Sequence, residues 1–435
     1  MKRVMTKSDR VRAMPLAKSP ALRRSGLRPK IGLAIAGGGP LGAMYEIGVL
    51  MALDESLRGL KLNDIDVYVG VSAGSLITAG LANNFTPAEI FQLFIEDKVT
   101  DVGALRPEVF LRPAFGEYFR RVKMVPPLLA RSLLNFAAAK LRHPLTSAAM
   151  ESFAPLARAL PTGIFENDAI RVFLEKTFNQ HGRTDDFRRL KHRLYSVATD
   201  LDTGESVCFG GPGFDDVPIS KAVQASAALP GLFPPVEING HFYVDGALKK
   251  TVNASLAMDA GAELVFCINP LVPFNADAAR RKGKPHMGKL IEGGLLTVLS
   301  QTFRAIIHSR MQVGMKKYET QYKGRDLVLF EPSSDDGKIF FTNLFSYASR
   351  KMVCEHAYQR TRIDLLKRRH ELAPVLAKYG ITLNLDRLKD EKRTLNSTLF
   401  ALGPNEPKGA RLAEATVDLG DTLGELEKFV ARSSR

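Results

Sequence analysis

Hydrophobic positions fall into short unbroken runs, separated by helix-like stretches, through the first half of this chain. Ile31 to Ala36 is an apolar run of strand length, Ala43 to Leu57 has the density of a buried helix, and Asp66 to Val69 forms a second strand after the turn residues Asn63 and Asp64. A further apolar helix opens at Ser75-Leu76-Ile77. Strand, helix, strand, helix with short connections predicts parallel strands in an α/β layer architecture. Later, Tyr195 to Thr199 and Glu205 to Phe209 read as strands joined through Asp200 to Gly204, and a helix from Ile219 to Leu229 stops at Pro230. Val236 to Ile238 and His241 to Val244 flank Asn239-Gly240, a strong hairpin signal. A helix from Asn253, strands at Glu263 to Asn269 and Leu327 to Glu331, and helices over Leu290 to Tyr322 and Tyr347 to Arg369 continue the pattern.

Two regions break it. From Asp101 to Pro161, apolar residues such as Phe115, Phe119 and Leu133 alternate with Arg112, Arg120, Arg121, Lys123, Arg131, Lys140 and Arg142, with prolines between what read as short helices. A helical cap that also meets lipid has this composition, and so does an ordinary helical layer with a solvated basic face. Asn167 or Asp168 then caps a helix running to Phe178. Pro273 to Lys289 reads as a basic loop. The expected organisation is a basic arm at residues 1–30, a catalytic unit at 31–270 with 101–161 as the cap, a continuation of the α/β pattern at 271–370, and a charged extension at 371–435 with a last helix from Leu412 to Ala431.

Composition narrows the class. With 45% hydrophobic and 25% charged residues, the 435-residue chain is neither fibrous nor wholly disordered. Its 61 Lys and Arg against 46 Asp and Glu leave a formal charge of +15, which favours a polyanionic partner. Zinc-finger spacing and aromatic RNA-binding motifs are missing, so an anionic membrane surface is a better expectation than nucleic acid; a solvated basic surface without a dedicated partner is equally compatible. Cys208, Cys267 and Cys354 give neither a disulfide framework nor a metal-ligand spacing, and fit a reducing cytoplasm. No apolar run is long enough to span a bilayer, and the basic arm lacks the apolar core of a secretory signal, so membrane contact is expected to be peripheral.

Three segments carry candidate chemistry. Gly70-Val71-Ser72-Ala73-Gly74 joins a strand to a helix, a turn that can hold a strained backbone and present the serine hydroxyl. Taken alone it is equally readable as packing. Gly37, Gly38 and Gly39 put unshielded N–H groups before a helix N-terminus, which suits an oxyanion. Gly37, Gly39 and Gly42 also match a dinucleotide loop, but that reading needs an acid at the far end of the second strand, where this chain has Ser72; Asp64 and Asp66 lie at its start. Asp245-Gly246 follows a strand, in isolation a turn signal.

Together these segments resemble the patatin-like phospholipases, serine acyl hydrolases with a Ser–Asp dyad. Gly37 to Gly42 with Gly48-Val49-Leu50 is similar to the family's glycine-rich block and first helix, Gly70 to Gly74 to its nucleophile elbow, and Ala225 to Pro230 with Phe233-Pro234-Pro235 to the segment before its catalytic Asp-Gly pair. The order and spacing agree from Ile31 to Asn269. The resemblance implies a three-layer α/β/α fold with a mainly parallel sheet and a helical insertion. It implies Ser72 as nucleophile, Asp245 as proton acceptor, and the amides of Gly37, Gly38 and Gly39 as oxyanion hole, supported by Gly42, Gly70, Gly74 and Gly246. It calls for a lipid ester substrate, with no cofactor, no metal and no nucleic acid. The family commonly has Arg or Lys at the position of Leu41, which weakens the expectation of a phospholipid over other acyl esters.

Rival readings differ in the base or in turnover. His286, His308, His356 and His370 follow Asp245, as a Ser–Asp–His order requires, whereas His241 is four residues from Asp245 on one strand, about 13 Å away. A protein that keeps the fold and binds a membrane or granule surface without turnover would use the basic segments instead. Acyl transfer to another alcohol would use the same residues as hydrolysis.

Overall fold

The computed structural model describes residues 28–96, 112–142, 154–250, 252–283, 290–342 and 347–402. The basic arm up to residue 27, the expected helix from Leu412 to Ala431, and His286 lie outside them.

An eight-stranded sheet organises the chain. Its strands are β1 (Ile31–Ile35), β3 (Val67–Val71), β4 (Arg193–Asp200), β5 (Ser206–Phe209), β6 (Val236–Ile238), β7 (His241–Asp245), β8 (Leu264–Ile268) and β9 (Asp326–Phe330), in the order β6-β7-β4-β3-β1-β8-β9 with β5 on β4. β4, β3, β1, β8 and β9 are mutually parallel, and β5, β6 and β7 add antiparallel pairs at one side. The parallel centre follows from composition: β1, β3 and β8 are buried along their whole length and read as continuous apolar runs, as strands covered on both faces must.

Alternation along the strands sorts side chains into two cores. Leu33, Ile35, Phe266 and Ile268 face one side; Ala34, Ala36, Val265 and Cys267 face the other. Helices α1 (Gly39–Ser56), α2 (Ala73–Ala82), α3 (Pro87–Phe94), α5 (Asp168–Phe178) and α6 (Ile219–Ser226) cover the first side. The second is covered by α7 (Ala254–Asp259) and α9 (Gly294–Gln321), with α8 (Ala276–Arg281) between them in the chain. Small residues permit close approach there: a Cβ on Gly32 would stand 2.9 Å from that of Ala257. The result is the expected three-layer α/β/α arrangement.

The insertion departs from expectation. α4 (Phe115–Arg142) is one helix containing Pro126 and Pro127, not a series of short helices parted by prolines. The two prolines remove N–H groups that would have bonded to Val122 and Lys123, and both of these residues are exposed, so water can take their carbonyls. Similarly, α8 forms within the stretch expected as a loop, with Asn275 capping it by accepting the Ala278 N–H at 2.9 Å.

The C-terminal described residues pack onto α1. After α10 (Gly337–Phe340), α11 (Tyr347–Lys367) and α12 (Arg369–Ala377), the strand β10 (Thr382–Leu383) pairs with β2 (Leu57–Arg58), followed by α13 (Leu385–Lys389) and α14 (Leu395–Leu402). Buried Glu55 ties these elements together, accepting Arg393 Nε at 2.6 Å and Thr398 Oγ1 at 2.8 Å, with Arg362 Nε 3.5 Å away. Four residues beyond Gly42 on α1, Glu46 is fully buried, neither carboxylate oxygen has a partner among the described residues, and burial holds its pKa well above the usual carboxylate range.

Candidate active site

β3 ends at Val71 and α2 begins at Ala73, which leaves Ser72 alone at the corner with φ 54° and ψ −124°. This is the backbone of the first central residue of a type II′ turn, which glycine favours, and a serine there stores roughly 1–3 kcal/mol of strain. The corner closes because its neighbours lack side chains. A Cβ on Gly70 would stand 2.2 Å from Thr78 Oγ1, and one on Gly74 2.4 Å from the carbonyl oxygen of Ala36. Ser226 fixes the elbow from outside: its Oγ accepts the Ser72 N–H at 2.9 Å and donates to the carbonyl of Val197 at 2.6 Å.

The glycine block lies directly on this serine. A Cβ at Gly37 would come within 2.7 Å of Ser72 Cβ, so only glycine fits. Gly38 packs on Pro270, Gly42 packs on the same proline, and Gly39 opens α1 at φ 61°. Among the described residues, no group accepts a hydrogen bond from the amides of Gly37, Gly38 or Gly39. α1 has no acid in its first turn, so its positive end is not neutralised by its own residues. Leu41 is buried in the first core.

Asp245 ends β7. The registers Val71↔Val197 and Ala198↔Asp245 place Ser72 and Asp245 on either side of Ala198, in one row across the sheet. The Asp245 N–H bonds to the Ala228 carbonyl at 2.9 Å, and one carboxylate oxygen accepts the Ala247 N–H at 2.8 Å. Gly246 is obligatory for this turn, because a Cβ would meet the Val197 carbonyl oxygen at 2.3 Å. The carboxyl is buried, which raises its pKa to about 6 against the opposing pull of hydrogen bonds from the Ser72 hydroxyl and the Ala247 amide. A serine hydroxyl beside a buried carboxylate of that basicity can be deprotonated as it attacks a carbonyl.

The match to known proteins can now be stated. The family profile described as Patatin-like phospholipase matches residues 33–258, from within β1 to within α7. The chain belongs to that family. Among solved structures it is similar to VipD from Legionella pneumophila, at 15% identity and a TM-score of 0.36 over 78% of this chain and 67% of that one. It is also similar to the type III effector ExoU, at 17% identity and a TM-score of 0.29 over 77% of this chain and 53% of ExoU. A human group IVD cytosolic phospholipase A2 bound to a fluorophosphonate gives 16% identity and a TM-score of 0.23, over 59% of this chain and 43% of that one. The chain thus spans about two thirds of the length of VipD and about half that of ExoU.

Among the described residues, no histidine bonds to Ser72 or Asp245. His241 Nδ1 lies 3.2 Å from Asp200, His308 bonds to Gln312, and His356 bonds to Asp336 at 2.6 Å. Asp64 and Asp66, the acids just before β3, hold Lys191 with His192, and Arg28, respectively. Asp200, Asp202 and His241 could together offer ligand atoms to a metal, but Asp200 is taken up by the Asp202 and Thr203 amides and by His241, as a clasp on the β4–β5 corner. In the sequence, Ser226 stands out only as part of the Ala225–Pro230 segment. Its bond to an amide 154 positions away is a tertiary fact, and the only sequence signal for it is the Ala225–Pro230 segment itself.

Proposed function

We propose that this protein is a serine acyl hydrolase that cleaves carboxylic esters of membrane lipids through a Ser72–Asp245 dyad. The observation that carries the proposal is the placement of Ser72 and the buried Asp245 on either side of Ala198, in one row across the sheet. Ser72 Oγ attacks the ester carbonyl carbon while Asp245 takes its proton, and the oxyanion rests on the Gly37–Gly39 amides at the head of α1. Collapse of the tetrahedral intermediate expels the alcohol, which receives the proton from Asp245. Water, activated by the same carboxylate, then releases the fatty acid and restores Ser72. Dispensing with a histidine is chemically sensible here, since burial has already brought the carboxylate's basicity towards neutrality. The +15 charge of the chain supports peripheral association with anionic lipid, and no described helix is long and apolar enough to cross a membrane.

The test is hydrolysis of phospholipid vesicles and of a short acyl ester by wild type, Ser72→Ala and Asp245→Asn, with fluorophosphonate labelling followed by mass spectrometry. The expected result is labelling at Ser72 alone, no turnover in Ser72→Ala, and a loss of about 10²–10⁴-fold in Asp245→Asn. Full activity in either variant would overturn the dyad.

A further inference from the structure

α4 turns an apolar ridge towards solvent. Phe115, Phe119, Val122, Leu129 and Leu133 recur at helical spacing along one stripe, each between 41% and 71% exposed. α9 repeats the arrangement. Its inner face puts Ile307, Met311 and Tyr318 into the second core, while Leu299, Phe303, Ile306 and Val313 line the neighbouring flank, each at least 41% exposed. A helix whose packing needs are already met on one side has no reason of its own to carry a second apolar stripe into water.

Both ridges hang from segments that hold the dyad. α4 is joined to 162–165 by the Ala114 N–H to Ile164 carbonyl bond (3.1 Å), and that segment bonds onward from Phe165 N–H to the Leu232 carbonyl (2.8 Å), four residues past the carbonyl that receives the Asp245 amide. On the other side, Arg310 of α9 donates to the Leu248 carbonyl at 3.1 Å, three residues after Asp245, and Arg304 donates to the carbonyl of Pro270, against which Gly38 packs.

The charge around the ridges selects the occupant. From Arg112 to Phe136 there are five cations and one acid, Glu117, which is buried and bonded to Arg120 and Arg121. Lys123 Nζ sits 4.7 Å over the Phe119 ring, on the ridge itself. α9 exposes Arg310, Lys316 and Lys317 and has no acid before Tyr318. A second copy of the chain would bring like charges face to face, whereas an anionic bilayer satisfies both the apolar stripe and its cationic flanks.

We propose that the outward ridges of α4 and α9 together seat the protein on an anionic lipid bilayer beside the dyad. The proposal gives the lipid hydrolase reading its route from bilayer to site, and in that sense rests on it, yet docking is measurable without turnover. The chain contains no tryptophan, so a single introduced Trp reports alone. Phe119→Trp, Phe303→Trp and, as a control at an exposed position of α11, Ile363→Trp would each be built on Ser72→Ala and mixed with phosphatidylcholine vesicles with or without phosphatidylserine.

The expected result is a blue shift with quenching by brominated lipid at both 119 and 303, dependent on phosphatidylserine, weakened by salt, and missing at 363. Phe119→Asp with Phe303→Asp should lower vesicle partitioning at least tenfold. Solvent-like emission at either ridge while the protein sediments with vesicles overturns the proposal. A blue shift that grows with protein concentration in the absence of vesicles also overturns it, and assigns the ridges to a second copy. Wild type assayed on the same vesicles separates the two readings: docking without hydrolysis removes the proposed activity and leaves the surface, and hydrolysis without docking does the reverse.

Discussion

Ser226 holds the backbone of Ser72: its hydroxyl takes the serine's N–H at 2.9 Å and hands its own proton to the Val197 carbonyl at 2.6 Å. Two residues on, the carbonyl of Ala228 receives the Asp245 amide, so one short segment holds the backbone of both Ser72 and Asp245. Ser226→Ala would leave a buried N–H without an acceptor, at a cost of about 1–3 kcal/mol, and would free the strained elbow to relax. The expected outcome is a fall in kcat of at least tenfold with KM little changed and partial rescue by Ser226→Thr, read from steady-state kinetics beside the thermal midpoint of each variant.

The pH profile should report Asp245. Its carboxyl must be ionised to accept a proton, and burial raises its pKa to about 6. The value of kcat/KM on a soluble ester is therefore expected to climb about tenfold per pH unit up to roughly 6 and then level off. An inflection near 4 would mean that the base is solvated during turnover.

Gly37→Ala tests the contact between the glycine block and Ser72. The added methyl would lie 2.7 Å from Ser72 Cβ, well inside carbon–carbon contact distance. A displacement of an ångström at the reacting atom costs about 10²-fold, so labelling by a fluorophosphonate should slow by that order while far-ultraviolet circular dichroism stays unchanged.

Glu46 makes a prediction about stability. Its folded-state pKa lies well above the unfolded value near 4.5, so the native state binds a proton that the unfolded state releases once pH exceeds that value. For this group alone, stability falls by about 1.4 kcal/mol per pH unit above 4.5, until the folded pKa is reached. Glu46→Gln removes that dependence. Its unfolding midpoint in urea should exceed that of wild type at pH 7, and the difference should vanish at pH 4.

What the sequence discloses and what it conceals divide along chain distance. The β1–Gly37–α1 passage, the Ser72 elbow and the Asn239-Gly240 hairpin are each written within a few residues, because a glycine forced by a close approach and an apolar run of strand length are local facts. Asn239 and Gly240 both take positive φ, as that dipeptide foretells. The uninterrupted course of α4 was hidden by Pro126 and Pro127, whose cost depends on whether water reaches the freed carbonyls. The pairing of Thr382 with Arg58 and the clasp of Glu55 on Arg393 join positions more than three hundred apart, and no periodicity encodes such partners.

Ser72 and Asp245 flank Ala198 on a strand that supplies no reactive group. Two inter-strand steps of about 4.8 Å each separate their parent strands, so the reach between the two residues is a lattice constant of the sheet and owes nothing to loop length. The insertion α4 stands outside that row, which makes β4 the ruler of the Ser72–Asp245 pair.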